Sequence, residues 1–410
     1  MTKNSYICMV VDGSYPNDIR VRKEAEALAE NGKKVLVVCP KYKSQQREEE
    51  INGVLVYRIG ENYTTIKKGI HDIIESVFNV NLFFYFNLKK VFKKYTIGFL
   101  HVHDLPLAGT GYLFKSEVKN KLILDLHENY PEALKTWFLW KKSTILRLKN
   151  FIFMNPKSWS KKEKKYCEKY NIIICVVEEM KEKLQTKFQI DPSKMYVVSN
   201  HEKKSFQANF DENNNQNIID QNIFSITYVG GFGPHRGLDT AIEGMKTIIQ
   251  KIPNAKLFLV GKGNKDVETK LKSITAEYGV ENSVKFLGYR PFKEVSAIMS
   301  QSNINIIPHH ANAHTDNTIP HKLFQIMMSK SLLLVSSCKP LQRIVEKYDA
   351  GLIFEASNVK DFSIKVIEAY NNKESLTYKT ENAYNAVMQQ GENWDDESLK
   401  LIDVYNQLEN

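Results

Sequence analysis

Short apolar runs alternate with polar, helix-length stretches along nearly the whole chain, and the alternation pauses once before it restarts. In the first half the runs are Ile7–Val11, Lys34–Cys39, Val54–Ile59, Phe99–Val102, Leu122–Asp125, Ile172–Val177 and Met195–Val198. Helical patterns lie near Arg20–Asn31, Leu82–Lys94, Ala108–Glu117 and Ser158–Tyr170. Strands separated by helices imply parallel βαβ units. From Gln207 to Asn222, nine of sixteen residues are Asn or Gln, which reads as a linker or surface loop. The runs resume at Ile226–Val229, Lys256–Val260, Val284–Leu287, Ile304–Ile307, Leu332–Ser336 and Gly351–Phe354. The pattern predicts an α/β chain of two Rossmann-like, doubly wound domains, 1–206 and 223–385, joined by the linker 207–222. A last helix, within 386–410, is placed to pack back across the junction. Ligands of such sheets bind outside the carboxyl ends of the strands, so two facing sheets would share a cleft.

A length of 410 residues accommodates two ordinary domains. No stretch reaches the ~18 uninterrupted apolar residues that suggest a membrane span. The chain enters its first strand directly, so no signal peptide is expected. Five scattered cysteines read as small buried hydrophobes in a reducing compartment, not as disulfides or metal ligands. The net charge of +10 is uneven. Between 131 and 170, eleven Lys or Arg (Lys135, Lys141, Lys142, Arg147, Lys149, Lys157, Lys161, Lys162, Lys164, Lys165, Lys169) face three acids. Trp137, Phe138, Trp140, Phe151, Phe153 and Trp159 are interleaved with them. Cations mixed with interfacial aromatics predict that 135–169 lies on an anionic membrane surface. No nucleic-acid motif accompanies the basic stretch.

Two segments of the second half have the form strand, polar loop, helix. One runs Ile226–Val229, Gly230-Gly231-Phe232-Gly233-Pro234, His235-Arg236-Gly237 and then a helix from about Leu238. The other runs from Asp316 through Pro320 into an amphipathic helix and the buried strand Leu332–Val335. Glycines let backbone approach a ligand closely, and helix starts favour anions. With Arg236 on one loop, Lys322 on the other and a third turn at Val260-Gly261-Lys262-Gly263, the pattern predicts a diphosphate site. In the first half, His101-Val102-His103-Asp104 and Asp125-Leu126-His127-Glu128 sit at carboxyl ends of strands, beside Asp12-Gly13-Ser14. Asp18, Arg20, Arg22 and Glu24 open the first helix as functional groups or as an ordinary ion-pair network. No metal-ligand spacing occurs, although His309, His310 and His314 are close in sequence, so the site reads as metal-independent.

These residues resemble the retaining, nucleotide-sugar-dependent glycosyltransferases of family 4 (glycosyltransferase group 1), which have the GT-B fold. The resemblance runs from about Ile7 to the final helix. It rests on Asp18-x-Arg20-Val21-x-x-Glu24-Ala25, His103-Asp104-Leu105-Pro106, Asp125-Leu126-His127-Glu128, Val229-Gly230-Gly231, His235-Arg236-Gly237-Leu238-Asp239 and, above all, Asn317-Thr318-Ile319-Pro320-His321-Lys322-Leu323-Phe324-Gln325. It implies that His127, with His103 and Asp104, forms the catalytic side. Gly230, Gly231, Gly233, Arg236, Gly261, Thr318 and Lys322 would hold the donor diphosphate. Asn317 and Gln325 match the ends of the family's Glu-x7-Glu element, whose first acid addresses the sugar and whose second addresses the ribose. Here both acids are replaced by amides. The loss at Gln325 should be about 1 kcal/mol, from the difference between charged and neutral hydrogen bonds.

The implied reaction moves a sugar from a UDP- or GDP-linked donor, with no other cofactor, to a hydroxyl of a glycan or lipid-linked acceptor, as in cell-surface polysaccharide synthesis. The implied location is the cytoplasm, peripheral to the inner face of the cytoplasmic membrane. The alternative is a catalytically weak or inactive GT-B scaffold that binds a glycan or a membrane surface. An epimerase on the same fold would need catalytic acids that the sequence does not place.

Overall fold

The computed structural model describes residues 5–42, 44–61, 65–137, 139–140, 143, 153–211 and 218–409. The chain divides into two compact units. The first comprises Met1–Leu134, Leu148–Ser199 and Ser398–Asn410; the second comprises Lys135–Arg147 and Asn200–Glu397.

The first unit carries β1 (Tyr6–Val10), β2 (Val35–Pro40), β3 (Glu48–Ile51), β4 (Val54–Ile59), β5 (Ile97–His103), β6 (Lys121–Leu126), β7 (Ile172–Cys175) and β8 (Met195–Val197). They form one sheet in the order β3-β4-β2-β1-β5-β6-β7-β8. Every pairing is parallel except the β3–β4 edge. The interior strands β1, β2 and β5 are buried along nearly their whole length, as expected where helices cover both faces. The order reverses between β1 and β5, which makes their carboxyl ends the switch point at which sheets of this kind bind ligands. The helix Ile19–Glu30 follows β1 and starts on Asp18, whose side chain accepts the Val21 N–H at 3.2 Å.

The second unit carries β9 (Phe224–Val229), β10 (Ala255–Val260), β11 (Val284–Gly288), β12 (Ile304–Ile307), β13 (Leu332–Ser336) and β14 (Leu352–Phe354). Their order is β11-β10-β9-β12-β13-β14, all parallel, with the switch point between β9 and β12. Ile226, Tyr228, Leu257, Leu259, Ile306 and Leu334 form its core with Leu238, Ala241, Met245 and Ile248 of the helix Leu238–Lys251.

Several expectations are corrected. The stretch 207–222 is not a junction: it lies wholly within the second unit, and the division falls after Ser199. Residues 212–217 lie outside the described ones; at the start of the stretch Phe206 and Phe210 pack together and Phe206 meets Phe292. The boundary at 385 cuts the helix Thr377–Met388, and only 398–410 groups with the first unit, where Tyr405 stacks edge-on against Phe99.

The interfacial set in 135–169 also changes. Trp159 is buried at 2% exposure and carries the Lys162 Nζ 4.0 Å above its ring. Lys162 Nζ donates to the Ser76 carbonyl at 2.7 Å, and burial lowers its pKa to about 8. Trp140 packs on the second unit's core. Lys141, Lys142, Arg147, Lys149, Phe138 and Phe151 lie outside the described residues. Lys157, Lys161, Lys164, Lys165 and Lys169 share the exposed face of the helix Pro156–Lys169. No helix among the described residues is long and apolar enough to cross a membrane. All five cysteines are buried and unpaired.

Candidate active site

In the first unit, strand register assembles the chemistry. Residues two apart on a strand share a face, so His101 and His103 stack, with ring centroids 4.3 Å apart. His103 lies opposite Asp125 on β6. One turn of the first helix then brings Arg20 and Glu24 to the same point. Arg20 grips Asp125 with two bonds, Nε to Oδ2 at 3.2 Å and Nη2 to Oδ1 at 2.9 Å, and its Nη1 donates to the Val198 carbonyl at 3.0 Å. Its Nε also lies 3.0 Å from Glu24 Oε1. All five side chains are buried. Of the two readings of the first helix, Arg20 and Glu24 belong to a buried charge network, and Asp18 is a cap.

Glu24, His101, His103 and Asp125 present ligand-type atoms within 4.8 Å of one another. No sequence spacing announces this group, because its members come from three separate elements. The Arg20 guanidinium already supplies a cation to both carboxylates, so the donor set does not fit a second cation well.

His127 follows β6. Its Nδ1 lies 3.2 Å from Asp104 Oδ2, and its Nε2 lies 3.2 Å from Asp125 Oδ2 and 3.0 Å from His103 Nδ1. Burial disfavours its charged form, yet the two carboxylates hold its pKa well above the usual imidazole range. His103 goes the other way: burial, then the neighbouring His101, lowers its pKa to about 3. Burial raises Glu24 to about 8 against the pull of Arg20. Burial opposes ionisation of Asp125 too, but Arg20 and His127 keep it well below the ordinary carboxylate range. At neutral pH the cluster is one cationic imidazole, two neutral ones, an ionised Asp125 and a largely protonated Glu24. His127, 15% exposed in its side chain, is its outlet to solvent.

In the second unit, Gly230 and Gly261 follow β9 and β10 side by side, with φ of 137° and 134°. A Cβ on Gly261 would overlap the Gly230 carbonyl, so close loop packing requires glycine there. Gly237, at φ 64°, lies equally tight against the Pro308 carbonyl. It precedes the helix Leu238–Lys251, whose N-terminus has no side-chain cap. Gly231 is open to solvent, and Gly233 sits beside the His235 ring.

Across the switch point, Arg236 Nη1 donates to His309 Nε2 at 3.1 Å. Lys322 Nζ donates to the Val229 carbonyl at 3.1 Å and lies 3.7 Å above the Tyr228 ring. Burial, then Arg236, drives the Lys322 pKa well below the usual lysine value. The same two causes lower His235 to about 2, His314 to about 4 and His309 far below 6.5. The side chains facing this loop are therefore one guanidinium, one lysine and three histidines held neutral. Asp239, at the start of the helix Leu238–Lys251, is bonded to His310 at 2.8 Å.

The expected Pro320 helix start is displaced. The helix is Lys322–Met328, after His321, and Pro320 lies in the preceding turn. Asn317 and Thr318 precede it in a 3₁₀ turn and extended backbone. Asn317 Nδ2 donates to the Ala313 carbonyl at 2.8 Å, while its buried Oδ1 has no partner among the described residues. Gln325 Nε2 donates to Glu202 Oε2 at 2.7 Å, both side chains buried. Sequence reasoning missed Glu202, Tyr228 and the burial of His309 and His314. Glu202 stands in no motif, and only the folded path of 200–203 brings it to Gln325.

Comparison with known proteins agrees with this geometry. The family described as Glycosyl transferases group 1 matches residues 209–386, and Glycosyltransferase Family 4 matches residues 19–201. An uncharacterized glycosyltransferase of Methanocaldococcus jannaschii is 28% identical over 200 residues, 47% of this chain and 44% of that protein, so the match spans less than half of the relative's length. Among solved structures, sucrose-phosphate synthase from Thermosynechococcus elongatus superposes with a TM-score of 0.76 at 16% identity, covering 98% of this chain and 99% of that one. Anabaena HepE in complex with UDP-glucose superposes with a TM-score of 0.71 at 12% identity, covering 98% and 99%. The two sheets and these neighbours define the GT-B class of fold. The chain belongs to the group 1 glycosyltransferases.

Proposed function

We propose that the protein transfers a sugar from a nucleoside diphosphate sugar to an acceptor hydroxyl with retention at the anomeric carbon. The observation that carries this reading is the second unit's cradle: two abutting glycine loops, an uncapped helix start, Arg236, and a buried Lys322 that no carboxylate neutralises among the described residues. Such a site is short of negative charge, and a diphosphate supplies it. The buried Asn317 Oδ1 offers an acceptor to a sugar hydroxyl. The binding of UDP-glucose by HepE makes UDP the first donor nucleotide to try, with GDP next.

Retention follows if the C1–O bond to the diphosphate breaks as the acceptor oxygen bonds C1 on the same face. The acceptor proton then passes to the departing phosphate oxygen. Arg236 and Lys322 stabilise the charge on the leaving group, as a metal ion would, so the transfer proceeds without one. His127, held cationic by Asp104 and Asp125, cannot serve as a base at neutral pH. Its role in the first unit is to present fixed positive charge, with His103 and Asp104 orienting it. The acceptor is a glycan or lipid-linked glycan, and the exposed lysines of the helix Pro156–Lys169 suit an anionic lipid surface.

The test is turnover. UDP- and GDP-sugars are incubated with lipid-linked and free glycan acceptors, and the anomeric configuration of the product is read by NMR. A product with inverted configuration contradicts retention. A protein that binds donors yet transfers nothing, even to water, is a scaffold.

A further inference from the structure

We propose that Glu202 supplies the carboxylate of the donor site, accepting the ribose hydroxyls of the nucleotide, and that Gln325 is the amide that positions it. This rests on reading the second unit as a nucleoside diphosphate sugar site. Gln325 stands three residues after Lys322 on one helix, about 4.5 Å further along its axis. Lys322 marks the diphosphate through its contact with the Val229 carbonyl. The group one turn further along therefore meets what is attached to the diphosphate.

Glu202 is 8% exposed. It accepts the Gln325 amide at Oε2 and the Lys203 N–H at Oε1, 2.9 Å away. No Lys, Arg or His pairs with it among the described residues. A carboxylate offers about four lone-pair sites, so two neutral N–H donors leave it half satisfied. A buried anion in that state is costly unless further donors arrive. A vicinal diol brings two O–H donors at the spacing of one carboxylate.

The segment is held rigidly for this task. The Glu202 carbonyl accepts from Trp394 N–H at 2.8 Å. The adjacent His201 packs against Phe324, with ring centroids 4.2 Å apart and the rings tilted by 56°, and bonds Glu392 at 2.8 Å. The negative charge expected at position 325 is thus present, delivered from a different segment.

Calorimetry separates the possibilities. UDP, GDP and ADP, with the 2′- and 3′-deoxy forms of whichever binds, are titrated into wild type, Glu202→Gln, Gln325→Glu and the double exchange. Wild type should prefer the ribo form by about tenfold, and Glu202→Gln should bind it about tenfold more weakly without preferring it over the deoxy forms. The double exchange, which returns the carboxylate to position 325, should recover the preference, whereas Gln325→Glu alone crowds two carboxylates. Thermal melting of the isosteric Glu202→Gln protein verifies that it is folded. The assignment is overturned if Glu202→Gln keeps the wild-type preference, or if it weakens ribo and deoxy forms equally. Failure of wild type to bind any of the three would overturn the donor reading itself, and Glu202 with it.

Discussion

Lys322→Met should weaken diphosphate binding and abolish the proton uptake that accompanies it. In the free protein the Lys322 ammonium has one carbonyl and one aromatic face as partners, and burial followed by Arg236 keeps its pKa far below normal. A diphosphate stabilises the charged form, so the bound pKa exceeds the free one. Between those two values binding takes up a proton, and affinity falls as pH rises, by at most tenfold per unit. Outside that window affinity is independent of pH. The groups facing the site are Arg236, Tyr228, His235, His309 and His314; the histidines, also lowered, act in the same direction but at lower pH.

The magnitude follows from two opposing quantities. An ammonium and a phosphate about 4 Å apart attract by about 4 kcal/mol at an effective dielectric constant of 20. Charging the lysine subtracts about 1.4 kcal/mol for each unit that its free pKa lies below the assay pH. The bare attraction corresponds to about 10³-fold in Kd, and the charging cost makes the observed loss smaller than that. The assay is UDP titration at pH 8 in HEPES and in Tris, whose ionisation enthalpies differ; the difference in apparent heat counts protons. A wild-type protein that takes up no proton, together with an unchanged Kd in Lys322→Met, would refute the reasoning.

Three further outcomes are expected. His127→Ala should lower kcat by about 10²-fold with a smaller change in KM, because it removes charge fixed by Asp104 and Asp125; wild-type kcat would mean that the reaction occurs elsewhere. Arg20→Met should lower stability in urea by about 3–5 kcal/mol, since it leaves the ionised Asp125 buried without its guanidinium partner. Gly261→Ala should destroy UDP binding while the first unit stays folded, because its Cβ would overlap the Gly230 carbonyl at an unfavourable φ of 134°; a mild effect would mean that the two loops do not abut.

The parallel strands were legible because runs such as Ile304–Ile307 and Leu332–Ser336 are apolar but for one residue each, Asn305 and Ser336, as expected of doubly covered strands. The edge strand Glu48–Ile51 was not, since its Glu-Glu-Glu-Ile sequence has neither alternation nor apolar content. It pairs at the margin of the sheet, where charge is tolerated. Glycine loops and strand-end histidines could be read because local sequence places them. The Arg20–Asp125 pair spans 105 residues and the Gln325–Glu202 pair 123, and only the fold brings such partners together. The aromatics of 135–169 misled for a related reason. Composition shows Trp beside Lys, but not that Trp159 points inward and carries Lys162 with it.

The most direct test of the account is calorimetric titration of the wild-type protein with UDP, GDP and ADP and their common sugar conjugates. Saturable one-site binding of one nucleoside diphosphate, between micromolar and sub-millimolar Kd, is the predicted result. No saturable heat with any of them would contradict the claim that the Gly230–Arg236–Lys322 cradle is a donor site.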